Sequence, residues 1–182
     1  HIPGLVVVAP STPADNHGLL LAALASGDPV VYMEHKELWG TPGAVTSGDV
    51  VPLGKARVAR AGSDLTIVSW SRQMQACEQA AEQLAAQGVQ AELIDLRTIW
   101  PWDKDAVLQS VAKTGRLLVV HEAIRVAGFG AEIAATVAEE TGAKVARLGA
   151  PRIPVGYAPT LEAEARVSAA HISAAAQKLV AP

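Results

Sequence analysis

Short, largely apolar runs alternating with longer helical stretches constrain this chain more than any other feature. From residue 65 onward, Leu65–Ser69, Ala91–Asp95, Arg116–His121 and Lys144–Leu148 read as strands. Met74–Ala86, Asp103–Lys113, Gly130–Glu140 and a final stretch, Leu161–Leu179, read as helices. Gly88, Gly115 and Gly142 stand where C-caps would close three of them, and Pro101 introduces one. Strands that are apolar along their whole length are buried on both faces. The prediction is an α/β fold, a three-layer α/β/α arrangement around a mostly parallel sheet.

A smaller block precedes it. Leu5–Ala9 reads as a buried strand, and Pro10-Ser11-Thr12-Pro13 ends it and starts a helix, with Ser11 or Thr12 as cap. That helix runs to about Ala25, and Ser26-Gly27-Asp28-Pro29 leads into a second strand, Val30–Glu34. This βαβ-type unit cannot cover both faces of its own sheet, so it calls for more of a domain. Because the chain opens at His1, directly before a strand, we expect that domain upstream and read the sequence as a fragment. Residues 36–54 are rich in Gly and Pro, lack periodicity and read as a linker. A strand at about Lys55–Arg60 and a turn at Ala61–Asp64 follow.

Half of the 182 residues are hydrophobic, enough for one core and part of another. A formal net charge of −3 provides no basic face for nucleic acid. The apolar runs are too short for a membrane span. The single cysteine, Cys77, excludes a disulfide framework and fits a cytoplasmic location. His1, His17, His35 and His171 have no metal-ligand spacing between them.

Few residues suggest chemistry. His121-Glu122 ends a parallel strand, where α/β folds place ligands, with Arg125 nearby. The pair reads either as a general base or as a loop or subunit contact. Gly128-Phe129-Gly130-Ala131-Glu132 reads either as an anion-holding helix start or as tight strand–helix packing. Asp95 and Arg97 read as a local pair or cap. Trp100 and Trp102, flanking Pro101, read as packing against another domain or subunit, or as a loop anchor. There is no nucleophile elbow, P-loop or Cys-x-x-Cys. The residues describe a scaffold without a complete catalytic constellation.

Several segments together carry a resemblance. His1-Ile2-Pro3-Gly4-Leu5, Val8-Ala9-Pro10-Ser11-Thr12-Pro13-Ala14-Asp15, Gly18-Leu19-Leu20, Asp28-Pro29-Val30-Val31 and Glu34-His35-Lys36 form one group. Pro52-Leu53-Gly54-Lys55-Ala56, Asp95-Leu96-Arg97-Thr98-Ile99, Lys113-Thr114-Gly115-Arg116, His121-Glu122-Ala123, Gly128–Ile133 and Tyr157-Ala158-Pro159 form another. In this order they resemble the β subunit of the thiamine-diphosphate-dependent 2-oxo acid dehydrogenases (E1), of pyruvate, branched-chain or acetoin type.

The resemblance implies a domain plan. Residues 1–35 would be the remnant of a thiamine-pyrimidine-binding domain, 36–54 a linker and 55–182 a transketolase C-terminal-like domain. It implies thiamine diphosphate and Mg²⁺ in the parent enzyme. The family's cofactor-activating glutamate and active-site histidine have no counterpart here, His1 included, so the fragment alone is expected to be inactive. It implies an E1 α subunit, a second β subunit and the acyltransferase (E2) core as partners, with Trp100, Trp102, His121 and Arg125 near the αβ and ββ interfaces. It also implies a potassium (K⁺) site at Ala23, Leu24, Ser26 and Asp28, with Ser26 where relatives often carry an acid. The other reading is a stand-alone interaction or anion-binding module of the same fold.

Overall fold

The computed structural model describes residues 2–181. Two sheets organise the chain. The larger has five strands: β3 (Arg57–Arg60), β4 (Leu65–Ser69), β5 (Ala91–Asp95), β7 (Arg116–Ile124) and β8 (Lys144–Ala150), in the spatial order β3-β5-β4-β7-β8. The β4–β5, β4–β7 and β7–β8 pairings are parallel, and the edge strand β3 is antiparallel to β5. The mostly parallel sheet expected from the sequence is present.

Side-chain alternation along the central strands divides the core. Leu65, Ile67, Leu93, Leu118 and Val120 face α2 (Gln73–Ala85) and α6 (Ala169–Val180), packing with Cys77, Leu84, Ile172 and Ala176. Val68, Ile94, Leu96, Leu117 and Val119 face α3 (Lys104–Thr114) and α4 (Gly130–Thr141), packing with Val107, Val111, Ile133 and Val137. With one cluster on each face, every residue of β4 and β5 is buried, including Thr66, Ser69, Glu92 and Asp95. Truncating a fully buried residue such as Leu118 to Ala would cost about 2–5 kcal/mol.

The smaller sheet holds β1 (Val6–Val8) and β2 (Val30–Tyr32) in parallel, joined by α1 (Pro13–Ala25). Thr12 caps α1 by accepting from the Asp15 N–H. The segment between the two sheets is laid down on α1. Val51 N–H donates to Gly18 O at 3.2 Å. A Cβ at Gly18 would come within 2.6 Å of the Val51 side chain, so only glycine permits that approach.

Two features differ from the sequence reading. A short strand, β6 (Thr98–Trp100), pairs antiparallel with β1 and completes the smaller sheet from within the second block. The final helix, read as continuous, is two: α5 (Pro159–Glu164) and α6. Ser168 sits between them with extended backbone, and its hydroxyl accepts from His171 N–H while the imidazole accepts from Ser168 N–H. This reciprocal cap starts a new helix where an Ala-rich pattern predicts continuation.

Candidate functional site

The polar groups with the most unusual surroundings lie on the seam between the sheets. Asp15 on α1 and Asp95 at the end of β5 are both buried. Ser11 donates to Asp95 and lies 3.4 Å from Asp15. Arg57 Nη2 reaches Asp95 at 3.1 Å and Asp15 at 3.7 Å. Arg97 closes the network. Its Nη1 is 3.3 Å from Asp15 Oδ1, and its Nε and Nη2 donate to the Lys55 and Ala56 carbonyls at 3.0 Å.

Burial pushes the Asp95 carboxyl up to about 6, with Asp15 adding to the rise and Ser11 and Arg57 opposing it. The local contact expected between Asp95 and Arg97 exists, from Arg97 N–H at 3.2 Å. The Arg97 guanidinium, however, bridges the Lys55 and Ala56 carbonyls and Asp15 on α1.

His121 is 1% exposed and lies in a cage of glycines. A Cβ at Gly128, Gly130 or Gly149 would come within 2.7 Å of the imidazole. One face stacks on Trp70 with ring centroids 5.6 Å apart. Nδ1 is 2.9 Å from the Ala123 carbonyl, and Nε2 is buried without a partner. Burial holds the imidazole below its usual range; the Ala123 contact opposes this and Arg147 adds to it. The neutral ring therefore carries its proton on Nδ1, facing the carbonyl.

Glu122 does not pair with His121. It lies 3.0 Å from His35 Nε2, across the seam. The general-base pair considered from sequence is therefore not assembled. Close packing on the imidazole accounts for Gly128 and Gly130. An isolated glycine at 149 within β8 was a signal of the same approach that the sequence reading passed over.

The other candidates are scattered. Trp100 ends β6 and is half-exposed, whereas Trp102 packs against the α3–α4 side of the core. Arg125 is exposed on the loop after β7. Ala23, Leu24, Ser26 and Asp28 share one turn at the end of α1. There the Ser26 hydroxyl donates to Ala23 O at 3.0 Å and accepts from Asp28 N–H at 3.3 Å. The Cys77 thiol is fully buried, and burial pushes its pKa up to about 12, so it is not a nucleophile. Among the described residues no group of three His, Cys, Asp or Glu could hold a metal ion, and no helix is long and apolar enough to cross a membrane. His1 lies outside the described residues.

Two concavities flank α1. One, of about 230 Å³, lies beyond the carboxyl ends of β1 and β2 and is lined by Ser11, Thr12, Asn16, Glu34, His35 and Trp39 among others. Its polar groups are already engaged: Asn16 donates to Glu34 at 3.0 Å, and His35 holds Glu122.

Residues 54–172 match the family model for the transketolase C-terminal domain. The chain is 44% identical over 98% of its length to the β subunit of acetoin:2,6-dichlorophenolindophenol oxidoreductase from Cupriavidus necator, covering 54% of that protein. It is 40% identical over 97% of its length to the 2-oxoisovalerate dehydrogenase β subunit of Bacillus subtilis, covering 56% of it. It is 43% identical over 98% of its length to the mitochondrial pyruvate dehydrogenase E1 β subunit of Caenorhabditis elegans, covering 53% of it. The chain thus spans about half the length of these curated relatives. Among solved structures, a split-gene transketolase in an inactive β4 tetramer aligns with a TM-score of 0.86 at 24% identity, covering 98% of this chain and 59% of that one. That likeness concerns the fold.

Proposed function

Because the chain belongs to the transketolase C-terminal domain family, we propose that it is the C-terminal part of the β subunit of a thiamine-diphosphate-dependent 2-oxo acid or acetoin dehydrogenase. The observation that carries this reading is the 40–44% identity to three such β subunits, sustained over both sheets. The parent enzyme would decarboxylate a 2-oxo acid or cleave acetoin and pass the acyl group to a lipoyl arm. Its thiamine diphosphate, bound with Mg²⁺, would supply the carbanion stabilisation.

The residues described here do not fit a cofactor-activating site. The buried carboxylates Asp15 and Asp95 are held by arginines, and the His121 imidazole is enclosed. No bond-making step is assigned to them. Their part is to position: 1–35 as remnant of the pyrimidine-binding domain, 36–54 as linker and 55–182 as assembly domain. Potassium at the α1 turn would take the Ala23 and Leu24 carbonyls with Ser26 and Asp28, and would share the Ala23 carbonyl with the Ser26 hydroxyl that donates to it.

The partners on this reading are an α subunit, a second β subunit and the acyltransferase core, in the cytoplasm. The test is to produce the full polypeptide with its α subunit and assay it with pyruvate, branched-chain 2-oxo acids and acetoin. Turnover that requires thiamine diphosphate supports the reading. A complex inactive on all three substrates, with the cofactor bound, would refute it.

A further inference from the structure

We propose that the seam between the two sheets is a proton-operated joint: when Asp95 takes up a proton, the Arg57 guanidinium passes from Asp95 to Asp15 and ties α1 more firmly to the larger sheet. This device belongs to the chain itself and does not depend on the reading above.

Groups from both sides of the seam meet at one point. The Oδ2 atoms of Asp15 and Asp95 converge on the same two donors, the Ser11 hydroxyl and Arg57 Nη2. Both donors favour Asp95. Ser11 donates to it and stands 3.4 Å from Asp15, and Nη2 is 3.1 Å from Asp95 against 3.7 Å from Asp15. Because Arg57 and Asp95 both belong to the larger sheet, this pairing holds the cation within that sheet. Arg57 Nε is buried without a partner, so the guanidinium keeps a donor in reserve for a second arrangement.

Protonation reverses both preferences. A neutral Asp95 no longer attracts the guanidinium as an ion, and Asp15 is the carboxylate that remains within its reach. The proton comes from solvent and sits on Asp95 Oδ2, from which the carboxyl donates to Ser11 Oγ. The hydroxyl hydrogen then turns to Asp15. The Arg97 N–H contact to Asp95 Oδ1, at 3.2 Å, needs only an acceptor and survives the change.

The surroundings assign the change to Asp95. Arg57 faces it from β3, Asp15 from α1, and Arg97 from the turn after β5. On the α2 side lies the Cys77 thiol, which burial keeps protonated, and on β4 its register partner Ser69 brings a neutral hydroxyl. Asp15 has in addition Arg97 at 3.3 Å and the Thr12 hydroxyl at 2.6 Å, so the two carboxylates are not equivalent. Burial raises the Asp95 carboxyl to about 6, which brings its proton exchange close to neutral pH. Neither apolar cluster includes a residue of β1, α1 or β2, so polar contacts decide how firmly that unit is held. The β1–β6 ladder beside the joint is itself irregular between Val7 and Val8.

The experiment is hydrogen–deuterium exchange of the full-length protein at pH 5 and pH 7.5, read by mass spectrometry and corrected for the intrinsic pH dependence of exchange. In wild type, peptides covering β1, the first turn of α1 and β6 should be about 10-fold or more better protected at pH 5. Asp95→Asn carries no ionisable group there, and its amide can still donate to Ser11. It should hold the high protection at both pH values. Arg57→Gln has no cation to pass and should show the low protection at both. A wild type without the step, or a step retained in either variant, would overturn the proposal. So would an equal step throughout α4, which touches none of these groups, because that would mark a change in global stability and not in the joint.

Discussion

Arg97 joins the two sheets of this protein through Asp15, its Nη1 lying 3.3 Å from the carboxylate of a residue 82 positions earlier. Neither apolar cluster includes a residue of β1, α1 or β2. The seam is held instead by β1–β6 pairing and by polar contacts: Asp15 with Arg57 and Arg97, His35 with Glu122, and Glu37 with Arg72 and Arg166. The Arg97 backbone is left-handed, with φ +58°. That conformation costs a non-glycine residue about 1 kcal/mol, and here it accompanies a guanidinium that reaches three acceptors.

Arg97→Ala should therefore destabilise the chain by about 3 kcal/mol, because it leaves the buried Asp15 carboxylate with only one, longer cationic contact, to Arg57, beside the Thr12 and Ser11 hydroxyls. Arg97→Gly should be milder than Arg97→Ala by about 1 kcal/mol, since glycine removes the backbone strain. Urea denaturation of both variants checks the order. Equal losses would mean that the left-handed backbone is not under strain.

Asp95 should make stability depend on pH in an unusual sense. Its folded-state pKa, about 6, lies above the ordinary carboxylate value. The native state therefore holds the proton more tightly than the unfolded chain. The resulting stabilisation is complete below about pH 4 and disappears as the pH rises through about 6. His121 works against it: its lowered pKa means that stability falls as the pH drops below about 6.5. Glu37, held down to about 2 chiefly by its hydrogen bond from Arg166, loses its contribution only in stronger acid, below about pH 4. The difference between wild type and Asp95→Asn isolates the first effect. Between pH 7.5 and pH 4 it should move in favour of wild type by on the order of 3 kcal/mol. Parallel profiles for the two proteins would contradict the assignment.

The division between what the sequence discloses and what it conceals follows from the range of the interactions. Strands β4, β5, β7 and β8 are legible because helices cover both of their faces, which leaves short, largely apolar runs set off by helical stretches. Strand β6 is not. Thr98-Ile99-Trp100 has no periodicity of its own, and its partner Val7–Val8 lies some 90 residues away in the chain. The seam is hidden for the same reason: Arg97 reads only as a local partner of Asp95, and nothing in the sequence ties it to Asp15 until the fold brings them together. His121 is an intermediate case. Its position at a strand end drew attention, but only the fold reveals that three glycines enclose it.

Ser168 tests the break between α5 and α6. Its hydroxyl satisfies the His171 N–H at 3.3 Å, and the imidazole returns a contact to the Ser168 N–H. Ser168→Ala should cost about 1 kcal/mol. Ser168→Asp, which can cap in the same way, should restore most of that loss. Thermal melts of the two variants distinguish this cap from a merely exposed serine, for which both changes would be neutral.

Gly130 and His121 should be energetically coupled. A Cβ at residue 130 would meet imidazole atoms at 2.7 Å and the Val119 side chain at 3.1 Å. The ring has little room to retreat, because Trp70 stacks on it and the Ala123 carbonyl fixes Nδ1. Gly130→Ala should cost about 2 kcal/mol through overpacking, despite alanine's better helix propensity. Gly40→Ala, at a glycine with nothing within 4 Å, is the control and should stay within about 0.5 kcal/mol of wild type. His121→Ala alone should cost about 3 kcal/mol, by emptying the cage and ending the stack on Trp70. In the double variant the new methyl group occupies space that the imidazole has left. The combined loss should therefore fall short of the sum by at least about 1 kcal/mol, with the near-ultraviolet signal of Trp70 changing whenever His121 is absent. Strict additivity would place the strain of Gly130→Ala elsewhere in α4 and would deny His121 its part in supporting the loops beyond β7 and β8.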